Sequence, residues 1–161
     1  GEEGQGWHIA MSTAGFERGL MLRSPARFQE TAKRLVALYR EHVNDILDLS
    51  IEDAVVKCFM DAEAYALSTY QTASRLMNGG KIGAESSVNK IFWSELDQKM
   101  HETALSILAN RAELLPEASA AGDVGQWLDG FLFAQSGPIY AGTNEIQRNI
   151  IAERMLGMPR K

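Results

Sequence analysis

The sequence predicts an all-α fold: an up-and-down four-helix bundle with an additional short C-terminal helix. Three observations carry that expectation. Apolar residues recur at spacings of three and four over long stretches, and no segment alternates convincingly as a half-buried strand would. Only four prolines stand in 161 residues, and none falls between Pro25 and Pro116, so long runs are free of helix breakers. Connections between the periodic runs are short, as they are between antiparallel neighbours in a bundle.

The elements follow in order. From Trp7 to about Val43 the pattern is helical, with a break at Ser24–Pro25, because a residue before proline avoids the α region. Beyond the break Phe28, Leu35, Leu38 and Tyr39 share one face, leaving Arg27, Lys33, Arg34 and Arg40 for water. "HVNDILDLS" reads as a connection, and Ser50 with Asp53 resembles a capping-box start for the next helix. Its expected buried stripe is Ile51, Val55, Phe59, Ala62, Ala66, Tyr70 and Ala73, and "NGGKIG" (78–83) ends it. A third long helix is expected from Ala84 to Glu113, burying Val88, Ile91, Phe92, Leu96, Met100, Ala104, Leu105 and Leu108. After the small-residue loop 114–123, a short helix from Val124 to Gln135 carries Trp127, Leu128, Phe131 and Leu132. "SGPIYAG" interrupts, and Thr143 can N-cap a last helix whose first turn holds Glu145.

Composition narrows the function. The chain is long enough for one domain that buries roughly 70% of its unfolded surface, with 45% apolar and 23% charged residues. A net charge of −5 and a pI near 5.2 argue against nucleic-acid binding, which needs a basic face. No apolar run reaches membrane-spanning length and no signal peptide is recognisable. The single Cys58 excludes an internal disulfide framework and fits a cytoplasmic location. "GEEGQGW", with three glycines in six residues, reads as the tail of a preceding domain or a linker (1–6), leaving 7–161 as the helical domain.

Most familiar chemistries find no footing. A di-iron bundle needs Glu-x-x-His pairs, but His8, His42 and His101 follow Gln5, Tyr39 and Gln98, so no metal site is expected. Cys58 lies on or near an apolar helix face and reads as a small hydrophobe. No nucleophile elbow or phosphate loop is present. "ELDQKMHE" (95–102) reads as a solvated face interrupted by Leu96 and Met100. Two stretches remain. "AGTNEIQR" places small residues before a helix N-terminus, where free N–H groups can meet an oxyanion. "STAGFERGLML" sets Glu17 and Arg18 among small and apolar residues before a helix break.

Together these stretches resemble the acyl-CoA dehydrogenase family, specifically its C-terminal helical domain. "IYAGTNEIQRNIIAERMLG" is similar to that family's C-terminal signature, and "GEEGQGWHIAMSTAGFERG" to the segment that leaves its middle β-domain and enters the first C-terminal helix. The resemblance runs from Gly1 to Arg160. It implies α,β-desaturation of an acyl-CoA thioester: a carboxylate removes the α-proton while FAD accepts the β-hydride and an electron-transfer flavoprotein takes the electrons. It also implies a homo- or hetero-oligomer.

Residue by residue, the resemblance makes the backbone N–H of Ala141 a donor to the thioester oxygen. Most members carry the catalytic Glu at that position. A minority, resembling the isovaleryl-CoA and long-chain enzymes, carry a small residue there and place the Glu in the first C-terminal helix, which makes Glu17 the expected base. Gly15, Phe16, Arg18 and Gly142 are expected against substrate, and Thr143, Asn144 and Glu145 against the flavin. Arg148 and Arg154 are expected to serve packing or subunit contacts. Small residues around Glu17 (Ser12, Ala14, Gly15, Gly19) leave room for a bulky or branched acyl group. Two departures stand out. "YREHVNDILD" lacks the usual Arg-x-x-Phe-Gly, and "SILANRAEL" replaces Gln-x-x-Gly-Gly-x-Gly. Both are flavin contacts, and their loss resembles members that work as heteromers. A non-catalytic assembly subunit is the alternative, a free-standing interaction bundle a third.

Overall fold

The structure, a computed structural model, describes residues 1–20, 23–44, 48–115 and 124–160, with the side chains of 14–20 outside the description. Within it run helices α1 (Gly6–Leu20), α2 (Pro25–His42), α3 (Leu49–Met77), α4 (Glu85–Leu108), α5 (Gly125–Ala134) and α6 (Asn144–Arg154). No strand occurs among the described residues, and the expected all-α class holds.

The sequence punctuation works largely as read. Ser24 takes an extended ψ of 120° and Pro25 opens α2, where its missing N–H costs nothing. Helix α3 starts slightly earlier than expected. Asp48, not Ser50, is its N-cap, and the carboxylate accepts the Ser50 N–H at 2.9 Å. At the far end Gly79 adopts φ +81° and Gly80 N–H bonds back to the Arg75 carbonyl at 3.0 Å. Helix α4 is shorter than expected: Ala109 turns to φ +47°, and 109–113 continue as a 3₁₀ segment.

The α3 stripe also needs correction. Phe59 and Tyr70 are 39% and 60% exposed, while Cys58, Tyr65 and Thr69 face inward with Val55, Ala62 and Ala66. This helix carries two apolar stripes. The outer one runs through Val56, Met60, Leu67 and Tyr70, and the expected set mixed the two faces. Val88 and Leu132 likewise point outward.

Helix α4 is the hub, touching α1, α2, α3, α5 and α6. One of its faces is apolar, with Trp93, Leu96, Met100 and Ala104 buried against Phe28, Leu35 and Tyr65. Phe28 meets Tyr65 edge-on at 5.1 Å between centroids, and its truncation to alanine would cost about 3–5 kcal/mol. Cys58 packs here as read. Burial raises its thiol pKa, and its Sγ lies 3.9 Å from Thr103 Oγ1.

A second α4 stripe was not foreseen. Ser87, Lys90, Ser94, Asp97 and His101 step by three and four, and all are buried. Asp97 therefore does not belong to a solvated face. It accepts Arg27 Nη2 at 2.9 Å, and His101 Nδ1 lies 2.8 Å from its carbonyl. Arg27 is correspondingly only half exposed and not simply left for water.

Candidate functional site

The site grows from the short passage between α5 and α6. After Ala134 the chain turns in successive tight steps, with Gly137 N–H bonding to Ala134 and both Ile139 and Tyr140 N–H groups to Ser136. Space at Gly137 is tight: a Cβ there would stand 3.1 Å from the Ala134 carbonyl and 3.3 Å from Trp93 and Ser94, so its neighbours would have to give way by a few tenths of an ångström. Ala141 and Gly142 then adopt left-handed φ values of +57° and +84°. For alanine that conformation costs about 1–2 kcal/mol, so the surroundings must impose it.

Those surroundings are specific. Gln147, 1% exposed, donates Nε2 to the carbonyls of Ala141 (3.0 Å) and Gly142 (3.2 Å). A Cβ at Gly142 would approach that same Nε2 to 2.8 Å. Asn144 N–H closes the loop on the Pro138 carbonyl at 2.9 Å, and its buried side chain accepts Lys90 Nζ at 2.7 Å and also bonds Ser94. On the other side Tyr140 packs against Trp93 (5.9 Å) and accepts a hydrogen bond from Arg23, whose guanidinium lies over both rings. Tyr65 OH holds the Arg23 carbonyl at 2.9 Å.

With both carbonyls turned inward, the N–H groups of Ala141 and Gly142 have no acceptor among the described residues. The two residues line a groove of about 670 Å³, walled by Trp7 and Met11 of α1 and by Ile146, Gln147, Ile150 and Arg154 of α6. Thr143 caps α6 as expected, its Oγ1 accepting Ile146 N–H at 3.4 Å. Glu145 is exposed in the first turn. Its pKa is held below the usual range, first by its own backbone N–H and then by the Thr143 hydroxyl. Arg148 pairs with Glu95 at 2.5 Å.

The structure therefore places Ala141, Gly142, Thr143, Asn144 and Glu145 at the entrance of α6. Of these, Ala141 and Gly142 line the groove that α1 walls, and Asn144 is buried in the bundle. Gly15, Phe16, Glu17 and Arg18 fall within α1, but their side chains lie outside the described residues. Among the described residues no three His, Cys, Asp or Glu side chains gather as metal ligands, and no helix is long and apolar enough to cross a membrane. Sequence reasoning missed Lys90, Gln147 and Arg23. A signal for Lys90 existed in the heptad-like step of polar residues from Ser87 to His101.

An all-helical domain with a strained, donor-presenting turn at the mouth of its last helix is the class defined so far. The profile of the acyl-CoA dehydrogenase C-terminal domain matches residues 4–156, and the chain belongs to the acyl-CoA dehydrogenase family. Acyl-CoA dehydrogenase IpdE1 of Mycobacterium tuberculosis is 32% identical over 165 residues, an alignment that takes in 100% of this chain and 40% of that protein. The chain thus spans about two fifths of the length of the curated relatives it matches. Among solved structures, the ChsE4-ChsE5 complex from Mycobacterium tuberculosis matches with a TM-score of 0.77 and 25% identity, over 100% of this chain and 43% of that one. The Tcur3481-Tcur3483 steroid ACAD matches with a TM-score of 0.83 at 22% identity, over 100% of this chain and 42% of that one, a likeness of fold.

Proposed function

We propose that this chain works as the C-terminal helical domain of an FAD-dependent acyl-CoA dehydrogenase that desaturates an acyl-CoA thioester, with residues 1–6 leading in from a middle β-domain. The observation that carries the proposal is the Ala141–Gly142 turn. Its carbonyls are taken by Gln147, its N–H groups have no acceptor among the described residues, and both residues line a groove. A thioester α-proton is far too weakly acidic for an unassisted carboxylate, so charge developing on the thioester oxygen must be met by fixed donors. Ala141 N–H is such a donor, and it is independent of the side chain at that position. Glu17, on the helix whose Trp7 and Met11 wall the groove, removes the α-proton in this reading, while Gly15, Phe16 and Arg18 contact the substrate.

Bound FAD supplies the hydride acceptor. The α6 entrance formed by half-buried Thr143 and exposed Glu145 contacts the flavin in this reading, while Gly142 sits against the substrate, where the absence of a Cβ allows close approach. Asn144 supports that entrance from beneath, because its side chain points into the bundle.

The two missing flavin motifs support a heteromer in which a partner subunit completes the cofactor site, and the match to a relative described as a complex agrees with this. We further propose electron-transfer flavoprotein as acceptor and a bulky, steroid- or lipid-derived acyl group as substrate. One FAD per subunit in a purified full-length homotetramer would sink the heteromer.

The deciding experiment is Glu17→Gln in the full-length protein, assayed by flavin reduction across straight-chain, branched and polycyclic acyl-CoA thioesters. Loss of a general base predicts a fall of about 10²–10⁴-fold in reduction rate with thioester binding kept. Unchanged reduction would favour the non-catalytic assembly subunit instead.

A further inference from the structure

Packing alone gives no reason for a lysine at position 90. The residue lies in the second turn of α4 at 2% exposure, where an unbranched apolar side chain would fill similar space without desolvating an ammonium. Nor does helix electrostatics explain it, because the ammonium is bonded at the N-terminal, positive end of α6. Among the described residues it forms no ion pair; its Nζ donates to Asn144 Oδ1 at 2.7 Å. Burial lowers its pKa, and the Glu145 and Glu95 carboxylates oppose that shift.

What Lys90 holds is informative. Asn144, 3% exposed, is the residue whose N–H closes the Pro138–Asn144 loop, and Ser94 bonds the same side chain from one turn further along α4. The strained Ala141 and the left-handed Gly142 stand inside that loop. Two anchors therefore act on it: Gln147 turns the carbonyls inward, and Lys90 ties the end of the loop to the most buried helix of the fold.

We infer that Lys90 is a positioning residue which, through Asn144, fixes the Pro138–Asn144 loop so that the Ala141 N–H faces the groove. The inference rests on the reading of Ala141 as donor to the thioester oxygen. Lys90 itself reaches neither the groove nor any reacting atom in that reading.

The test uses the full-length protein with Lys90→Met, Asn144→Leu and the double variant. Hydrogen exchange of the Tyr140 and Asn144 amides, which bond the Ser136 and Pro138 carbonyls, reports on the loop without any substrate. Each single variant is expected to speed that exchange roughly tenfold or more, with the double variant about equal to either single one, since the two residues act as a unit. For Lys90→Met the melting temperature should stay within about 4 °C of wild type, whereas Asn144→Leu, which leaves the buried ammonium without its acceptor, should lower it further than the double variant does. The kcat should fall with KM kept for whichever thioester the panel above selects. Should Lys90→Met fail to fold, Lys90→Gln, which retains a donor, carries the same measurement and should exchange at an intermediate rate. Wild-type exchange in these variants would overturn the inference whatever happens to turnover. Faster exchange with unaltered turnover would instead overturn the role of Ala141 and leave Lys90 as an anchor only.

Discussion

Two turns of this molecule use glycine in nearly the same way and are held very differently. Gly79, after α3, and Gly142, before α6, adopt φ values of +81° and +84°. The first turn is latched by an ion pair between Arg75 and Glu85, whose side chains are 45% and 30% exposed. The second is latched by Lys90, Asn144 and Gln147, none more than 3% exposed. A Cβ at Gly79 would meet nothing within 4 Å, whereas one at Gly142 would strike a hydrogen-bonded, buried amide. A left-handed glycine is thus common to a plain helix connection and to a candidate active-site edge. The difference lies in how much buried polar structure is spent on keeping the turn in one shape.

Substitutions can break or sharpen this contrast, with local opening free energies from native-state hydrogen exchange as the common measure. Gly142→Ala should have the largest effect, about 2–4 kcal/mol of lost local stability. It combines left-handed strain with displacement of Gln147 from two carbonyls. Gln147→Leu should cost about 1–2 kcal/mol, because the carbonyls lose their donor while an oxygen already lacking a partner, Gln147 Oε1, is removed. Gly79→Ala should cost only the conformational part, about 1 kcal/mol, and leave the α6 amides untouched. If Gly79→Ala proved as damaging as Gly142→Ala, the distinction drawn from burial would collapse.

The smallest expected effect is at Glu85. Partial burial pushes its pKa up. Hydrogen bonds from its own and the Gly83 N–H, together with Arg75, outweigh this and bring the folded-state pKa below the ordinary value. A lowered folded pKa contributes stability that is present above the unfolded pKa and lost as pH falls through the folded one. Glu85→Gln should therefore cost less than about 1 kcal/mol at neutral pH, given the exposure of the pair. The gap between variant and wild type should close as pH falls below about 4. A gap that widened in acid would reverse the assignment of this pair as a stabilising latch.

Helix periodicity, the Ser24–Pro25 break and the Thr143 cap were legible because they depend on residues within one turn of each other. Caps misread by two residues, such as Ser50 for Asp48, reflect competition between neighbouring side chains for the same N–H groups. The candidate site was legible only in part. "AGTNEIQR" marks the turn, since the motif is contiguous. Lys90, more than fifty residues away in sequence, was not, because a lysine among polar neighbours reads as a surface residue until another helix covers it. The same holds for Arg27 and Asp97, which meet only when α2 packs on α4.

The sequence by itself determined the helical class, most helix boundaries, the family and the position of the strained turn. All of these follow from local propensity and short contiguous patterns. Only the tertiary structure decided which α3 stripe faces inward, that α4 carries a buried polar seam, and that Ala141 and Gly142 are pinned from two sides. Burial is set by what lies opposite. A residue's partners across the bundle, not its neighbours along the chain, determine whether a charge is solvated or put to use.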